Sequence, residues 1–298
     1  MNAPLHSGLE HWLSAPDDGP DLAWLDERRH GARARLSARA LPHSKQEAWR
    51  YTSLKSLLEQ QFTAIDEPLS ALQPEDLDTV LIPGFESHRL VLVNGRYAPE
   101  LSVLGELPAG VRIGGLHDWL QHDPESLRGQ LDAALGESDA FFATLNTAGL
   151  DDGLVVWLSR GAVLERPIEL IHLSVGLDEP RVAQPRHLVR LDAGAQAILV
   201  ERYVSLGDAL YCTNAVMEVV LGRDAVLKHE RLQMESRNAF HITGFYLLQD
   251  ENSHYSGINI GLGARWARTD LNTRFRGEHA ECVLHGLYLA GDGQLLDY

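Results

Sequence analysis

Cys282 and His285 stand in a C-x-x-H spacing, with His279 three residues before the cysteine. A thiolate with imidazoles is the donor set of a soft metal site. In an extended strand, however, alternate side chains point to opposite faces. Cys282 then faces one way, and His279 and His285 the other. The same residues also fit a thiol packed as a small buried hydrophobe. Cys212 has only Asp208 near it in sequence and reads the same way. His229-Glu230 opens an H-E pair, but Gln233 stands where a second zinc-binding His belongs. None of the three lysines follows a glycine as a P-loop requires, so an ATPase is excluded. Gly261/Gly263 and Gly291/Gly293 lack the third glycine of a dinucleotide fingerprint and read as turns. No serine nucleophile elbow occurs. The 14 His are scattered; His187, His241 and His254 stand singly and read as structural.

Composition narrows the function further. Lys and Arg number 26 against 42 Asp and Glu, a formal net charge of −16. A surface this acidic repels phosphate backbones, so nucleic acid is not an expected partner. Apolar runs such as Leu154–Leu158 are far shorter than the ~18 residues of a spanning helix, so no membrane is expected. The start, MNAPLHSGLEHW, has no basic stretch leading into an apolar one. Two cysteines make no disulfide framework. A cytoplasmic protein is expected.

The elements that must position these residues fall into two regions. Residues 1–77 read as a small helical region. Asp21 is placed to cap a helix carrying Leu22, Leu25, Ala32 and Leu36. Ser44 and Glu47 have capping-box spacing, and Thr52 or Ser53 can start a helix with Leu54, Leu57 and Leu58. Residues 78–298 read as a β core. Helices are expected only near His117–Leu120 and Ser126–Leu135. Asn94-Gly95 after Leu90–Val93 is a hairpin turn signal. Beyond residue 153 come short β-type runs separated by Gly and Asp. They repeat. Small residues at Ala197, Ala225, Ser253 and Ala280 anchor four segments, with Leu199, Leu227, Tyr255 and Cys282 two residues on. Gly194, Gly222 and Gly277 precede three of the anchors, and a looser copy begins at Gly161.

A period of 27–28 residues in short strands is the mark of stacked coils. A parallel β-helix is favoured over a β-sandwich, because a sandwich has no reason to repeat residues in register. On this alignment Glu201 and His229 are equivalent in consecutive coils, as are Tyr203, Arg231 and Asn259. All five share the inward face of Leu199 and Leu227. They are expected to pair in an inward polar network, since unpaired burial is costly. The alternatives are an outward ladder, or a polar path along the interior.

Two groups of segments carry a family resemblance. LPHSKQEAWRYTSLKSLL holds Lys45, Glu47, Trp49, Arg50, Tyr51 and Thr52 in a K-x-E-x-W-R-Y-T core. VNGRYAPELS, FFATLNTAG, DDGLVVWLSRGAVLERPIEL and HGLYLAGDGQ follow. Together they resemble the SufB/SufD family of iron–sulfur cluster assembly scaffold proteins, over nearly the whole chain and on its SufD side. The resemblance implies a mainly β fold: a right-handed parallel β-helix core with a small N-terminal helical region. It implies a non-catalytic subunit that pairs with a SufB-like subunit and a SufC-like ABC-type ATPase. No cofactor is expected on this chain alone, only transient iron–sulfur species in the complete complex.

The resemblance also implies further coils and a C-terminal helical region, which do not follow Tyr298. The chain therefore reads as truncated, without the SufC-docking surface, and the open coil could pair as a homodimer through β-helix edges. Two other functions fit a solenoid. One is a β-helix carbohydrate-active enzyme, which Asp151-Asp152 and Glu278/Glu281 do little to support because they form no obvious cluster. The other is a purely structural, self-associating β-solenoid.

Overall fold

The computed structural model describes residues 9–13, 21–65, 72–136, 138, 140–176 and 179–298. Residues 1–8 of the opening MNAPLHSGLEHW and the stretch 14–20 lie outside them. The described strands are β1 (Thr63–Ala64), β2 (His88–Val93), β3 (Arg96–Tyr97), β4 (Val111–Gly115), β5 (Gly153–Leu158), β6 (Ile168–Val175), β7 (Arg181–Ala183) and β8 (Arg186–Leu191). They continue with β9 (Gln196–Leu206), β10 (Tyr211–Leu221), β11 (Val226–Met234), β12 (Phe240–Gln249), β13 (His254–Gly261), β14 (Trp266–Phe275), β15 (Glu281–Tyr288) and β16 (Leu295–Asp297). The helices are α1 (Ala23–Ser37), α2 (Lys55–Leu58), α3 (Leu116–His122), α4 (Pro124–Leu127) and α5 (Phe141–Ala148).

The strands form two sheets. One runs β16-β14-β12-β10-β8-β5-β4, with β7 also against β10 and β1 against β7. The other runs β15-β13-β11-β9-β6-β2-β3. Apart from the β7–β8 pair, successive strands from β5 onward alternate between the sheets. Among the described strands only β2–β3 and β4–β5 pair antiparallel. This is a parallel β-helix of about five coils, each giving one strand to each sheet.

One corner of every coil has the same construction. Ala162, Ala195, Ala225 and Ser253 donate their amides to Ser159, Asp192, Gly222 and Asp250, three residues back. The residue before each small residue is left-handed: Gly161, Gly194, Asp224, Asn252 and, before Ala280, His279. Gly, Asn and Asp tolerate that conformation best. The amides of Gly161, Gly194, Asp224 and Asn252 bond to the next coil, at Ala193, Arg223, Glu251 and Glu278. The corners thus stack by backbone bonds.

The corners correct the predicted register. β11 pairs with β9 so that Leu227 lies beside Ala197 and Arg231 beside Glu201. The anchors are Ala195, Ala225, Ser253 and Ala280; Ala197 and Leu199 were placed one step of two too far along. Hence Glu201 is not level with His229, nor Tyr203 with Arg231. The pair Arg231 and Asn259 is level, as expected. The error is an even number of residues, so every side chain keeps its predicted face.

The two sheets differ in how they are covered. Every residue of β10 and β12 is buried, because the helical layer packs on the outer face of their sheet. There Val155, Leu188, Val216 and Leu248 meet Leu25 of α1, Leu116 and Trp119 of α3, and Ala143 of α5. β11 instead alternates buried and exposed residues, with Lys228 and Glu230 in solvent. The sequence texture follows: a near-continuous apolar run where both faces are covered, alternation where one is wet.

Helix ends depart from expectation. Asp21 does not cap α1, which has no side-chain cap at Leu22. Ser44 and Glu47 form no capping box. A single 3-10 turn, Glu47–Trp49, stands there, because Trp49 and Thr52 are drawn down onto the first sheet. The helix expected through Leu135 stops after α4. Gly129 and Asp132 adopt positive φ, and the Glu218 carboxylate takes the amides of Asp132, Ala134 and Leu135 away from a helical ladder.

Candidate functional site

The interior between the sheets is divided lengthwise. One half is apolar: Leu170, Leu199, Leu227 and Tyr255 from one sheet meet Val156, Val189, Val219 and Leu247 from the other. The other half is polar, and Glu201 of β9 is its centre. Its carboxylate accepts from the Tyr203 hydroxyl at 2.7 Å and from His229 Nε2 at 3.2 Å. His172 Nε2 lies 3.4 Å away and Arg231 Nε 3.5 Å away. Glu201, Tyr203, His229 and Arg231 are all buried, and Asn259 is half-buried, accepting from Arg231 Nη1 at 2.9 Å. The structure therefore brings the five predicted residues together, although β9 and β11 are two residues out of the predicted register.

The network extends beyond them. Arg231 Nη2 donates to His241 Nε2 at 2.5 Å, which leaves the proton of that ring on Nδ1. That Nδ1 lies 2.7 Å from Glu235 Oε2. Gln233 also donates to Glu235, at 2.9 Å. His172 stacks on the Tyr203 ring at 3.9 Å, and the Arg231 guanidinium lies over the ring at 4.8 Å. His187 meets His172 edge-on at 4.9 Å. His187 and His241, expected to stand singly, are thus part of the cluster. His254 is outside it, exposed and 3.1 Å from Glu281.

Electrostatics follow from burial and partners. Burial alone would raise the pKa of Glu201, but the hydrogen bonds from His172 and His229 and the Arg231 charge overcome it and hold the carboxyl well below its usual range. Glu235 is lowered the same way, against its burial, by His241 and Gln233. Burial holds His172 below, and His187 well below, the usual imidazole value. His187 Nδ1 accepts from the Leu154 amide, so its ring is neutral with the proton on Nε2. The arrangement is a polar lock between coils that gathers two carboxylates, Glu201 and Glu235, one guanidinium, Arg231, and several imidazoles.

Sequence reasoning missed His172, Gln233, Glu235 and Thr243. The signal was available. Three of them continue the two-residue inward alternation of a residue already named: Gln233 and Glu235 from Arg231, Thr243 from His241.

Cys282 pairs across from Tyr255 and packs half-buried against the apolar half. Its Sγ is 4.0 Å from Thr273 Oγ1, and burial raises its pKa. His279 sits in the exposed corner turn and His285 is exposed. Among the described residues no group of three or more His, Cys, Asp or Glu is placed to hold a metal ion.

The K-x-E-x-W-R-Y-T segment divides by burial. Trp49 and Thr52 are buried; Lys45, Glu47, Arg50 and Tyr51 are exposed. Trp49 packs on Phe142 at 5.7 Å, and the Arg268 guanidinium covers its ring at 4.1 Å. Thr52 hydrogen-bonds Asp297, which also pairs with Arg268. Trp266 Nε1 donates to the Ser53 carbonyl at 3.1 Å. The segment is therefore pinned to the outer face of the first sheet.

Comparison with known proteins matches this architecture. Residues 19–170 match the family model "SufBD protein N-terminal region", and residues 174–298 match "SUF system FeS cluster assembly, SufBD core domain". An iron–sulfur cluster assembly SufBD family protein of Synechocystis is 30% identical over 287 residues, covering 94% of this chain and 63% of that protein. The Escherichia coli iron–sulfur cluster assembly protein SufD is 29% identical over 259 residues, covering 86% and 57%. Protein ABCI7, chloroplastic, of Arabidopsis thaliana is 28% identical over 305 residues, covering 98% and 61%. The chain spans about 60% of the length of these relatives. No helix among the described residues is long and apolar enough to cross a membrane.

Proposed function

The chain belongs to the SufBD family of the SUF iron–sulfur cluster assembly system, and on that premise we propose that it acts as a non-catalytic scaffold subunit, paired with a SufB-like subunit and a SufC-like ATPase in the cytoplasm. The observation that carries this is the solenoid itself. Its coils are joined by backbone bonds at a repeated corner and by a polar network inside, an architecture that suits a structural subunit packing against a related β-helix. Iron and sulfur are cargo of the assembled complex on this reading.

The lumen network fits the same role. Glu201 ties β6, β9 and β11 through His172, Tyr203, His229 and Arg231, so it fixes the relative register of three coils. The likeness to a protein named as SufD supports the SufD side of the family.

The test is co-purification of the full-length protein with candidate SUF subunits, followed by iron and sulfide analysis. Recovery of both subunits in stoichiometric amounts, with cluster formed only in the complex, is the expected result. Purification as a lone chain that takes up no partner overturns it. Glu201→Ala and His229→Ala then separate lock from path. A lock lowers stability, and cluster yield falls only with the folded fraction. Loss of cluster from fully folded variants would mean the lumen conducts sulfur or iron species.

A further inference from the structure

The chain's charge is unevenly distributed. Residues 28–58 hold eight Lys and Arg and one acidic residue, Glu47, whereas the whole chain carries −16. Three of the eight turn into the fold. Arg28 pairs with Asp132, and Arg29 and Arg33 donate to the carbonyls of Leu150 and Ala148. Arg35, Lys45, Arg50 and Lys55 are exposed. Lys55 reaches Glu59 at 3.9 Å, while Arg35, Lys45 and Arg50 have no ion-pair partner among the described residues.

Tyr51 follows Arg50 and is 84% exposed, with the Arg50 guanidinium 5.4 Å from its ring centre. An exposed aromatic ring is expensive to hold in water, and Tyr with Arg is the pairing enriched where proteins meet. The residues that follow line a shallow groove, whose walls include His43, Lys55, Glu59 and the half-exposed Leu58. This surface is not a loose loop. Trp49, Thr52 and Ser53 pin it to Phe142, Arg268, Asp297 and Trp266 of the solenoid and its helical layer. Its geometry is therefore prepaid, which lowers the entropic cost of docking.

We propose that Lys45, Arg50 and Tyr51, with the adjoining groove, form a docking surface for an acidic, partly apolar segment of a partner protein. Opposite charge supplies steering and orientation, and the Tyr51 ring and Leu58 supply apolar contact. A nucleic acid is disfavoured as occupant, because outside residues 28–58 the chain carries 18 Lys and Arg against 41 Asp and Glu. The inference goes beyond the scaffold role and does not depend on which subunits assemble.

The test uses the whole chain and fluorescence anisotropy. The probe is a fluorescein-labelled peptide of Glu-Glu-Leu repeats, at low salt. Saturable binding is expected. The double variant Lys45→Glu/Arg50→Glu should weaken it about tenfold or more, and Tyr51→Ala about threefold. Raising the salt tenfold should weaken the wild type while leaving the Tyr51 contribution. All three side chains are exposed, so the far-UV spectrum and melting temperature of the variants should match wild type. Unchanged affinity in the double variant overturns the proposal. So does tighter binding of a single-stranded DNA oligomer or of phosphatidylserine vesicles than of the peptide, or no binding of the peptide at all.

Discussion

Arg186 Nη2 lies 2.7 Å from Glu218 Oε1, and neither side chain has any exposed surface. The pair joins β8 to β10 on the outer face of the first sheet. It also reaches the helical layer. Arg186 pairs with Asp132, which pairs with Arg28 of α1, and the Glu218 carboxylate accepts three backbone amides between residues 132 and 135. The helical layer is thus tied to the solenoid through one buried pair of charges.

Removing one partner should be severe. Glu218→Ala strands three amides and leaves the buried Arg186 charge with Asp132 alone, and Arg186→Ala leaves the buried Glu218 carboxylate with backbone amides but no countercharge. Each should lower the unfolding free energy by about 3–5 kcal/mol, read from urea denaturation. The double variant Arg186→Met/Glu218→Leu should lose much less than the two single losses combined, because no buried charge is left alone.

The lumen makes stability depend on pH with a definite sign. Burial lowers the pKa of His172 and His187 in the folded chain, so below about pH 6.5 the unfolded chain binds more protons than the native one. Their contribution is full above that value and is lost as pH falls. Glu201 and Glu235 are depressed too, so theirs is present above about pH 4.5 and is lost below it. Urea midpoints should be level near pH 8 and fall from about pH 6.5 downward. His187→Gln should flatten the slope between about pH 6.5 and 5, by at most one proton, or about 1.4 kcal/mol per pH unit. A slope unchanged in that variant would show that His187 titrates freely.

At the repeated corner, side-chain shape should matter more than charge. Asp224 has φ 58° and Asn252 φ 56°, in the left-handed region. Asp224→Gly and Asn252→Gly should be near neutral or slightly stabilising. Asp224→Val and Asn252→Val should each cost about 1–2 kcal/mol, measured by thermal unfolding. Equal losses for Gly and Val would mean that side-chain contacts, not backbone conformation, set the corner.

The two thiols should differ in accessibility. Cys212 is fully buried with its pKa raised well above the ordinary value by burial, and Cys282 is half-buried with a smaller rise. Ellman's reagent should modify one thiol in the native protein, more slowly than free cysteine, and two after denaturation. Cys282→Ser should abolish the native reaction. Persistence of the signal in that variant would place Cys212 within reach of solvent.

Much of this was legible in the sequence, for a physical reason. The two-residue alternation fixes which side faces inward regardless of register, so Glu201, Tyr203, His229 and Arg231 are legible as lumen residues although the level of one coil against the next is not. Register was misread because Ala197 and Ala195 are both small, and only the corner bond from Ala195 to Asp192 distinguishes them. His187 and His241 were passed over because their neighbours come from the opposite sheet, far along the chain. The short helices were mistaken at their ends because Glu218, some 80 residues on, competes for the amides of residues 132–135. No local rule carries that information.

The stacked corners have a consequence for how such a chain can change length. Successive corner residues Ala162, Ala195, Ala225 and Ser253 are 33, 30 and 28 residues apart, yet their backbone bonds stay in step. The circumference varies while one seam is held constant, as a spiral binding holds pages of unequal width. Insertions are therefore absorbed on the far side of each coil, and a graft placed there, away from the seam, should leave the winding intact.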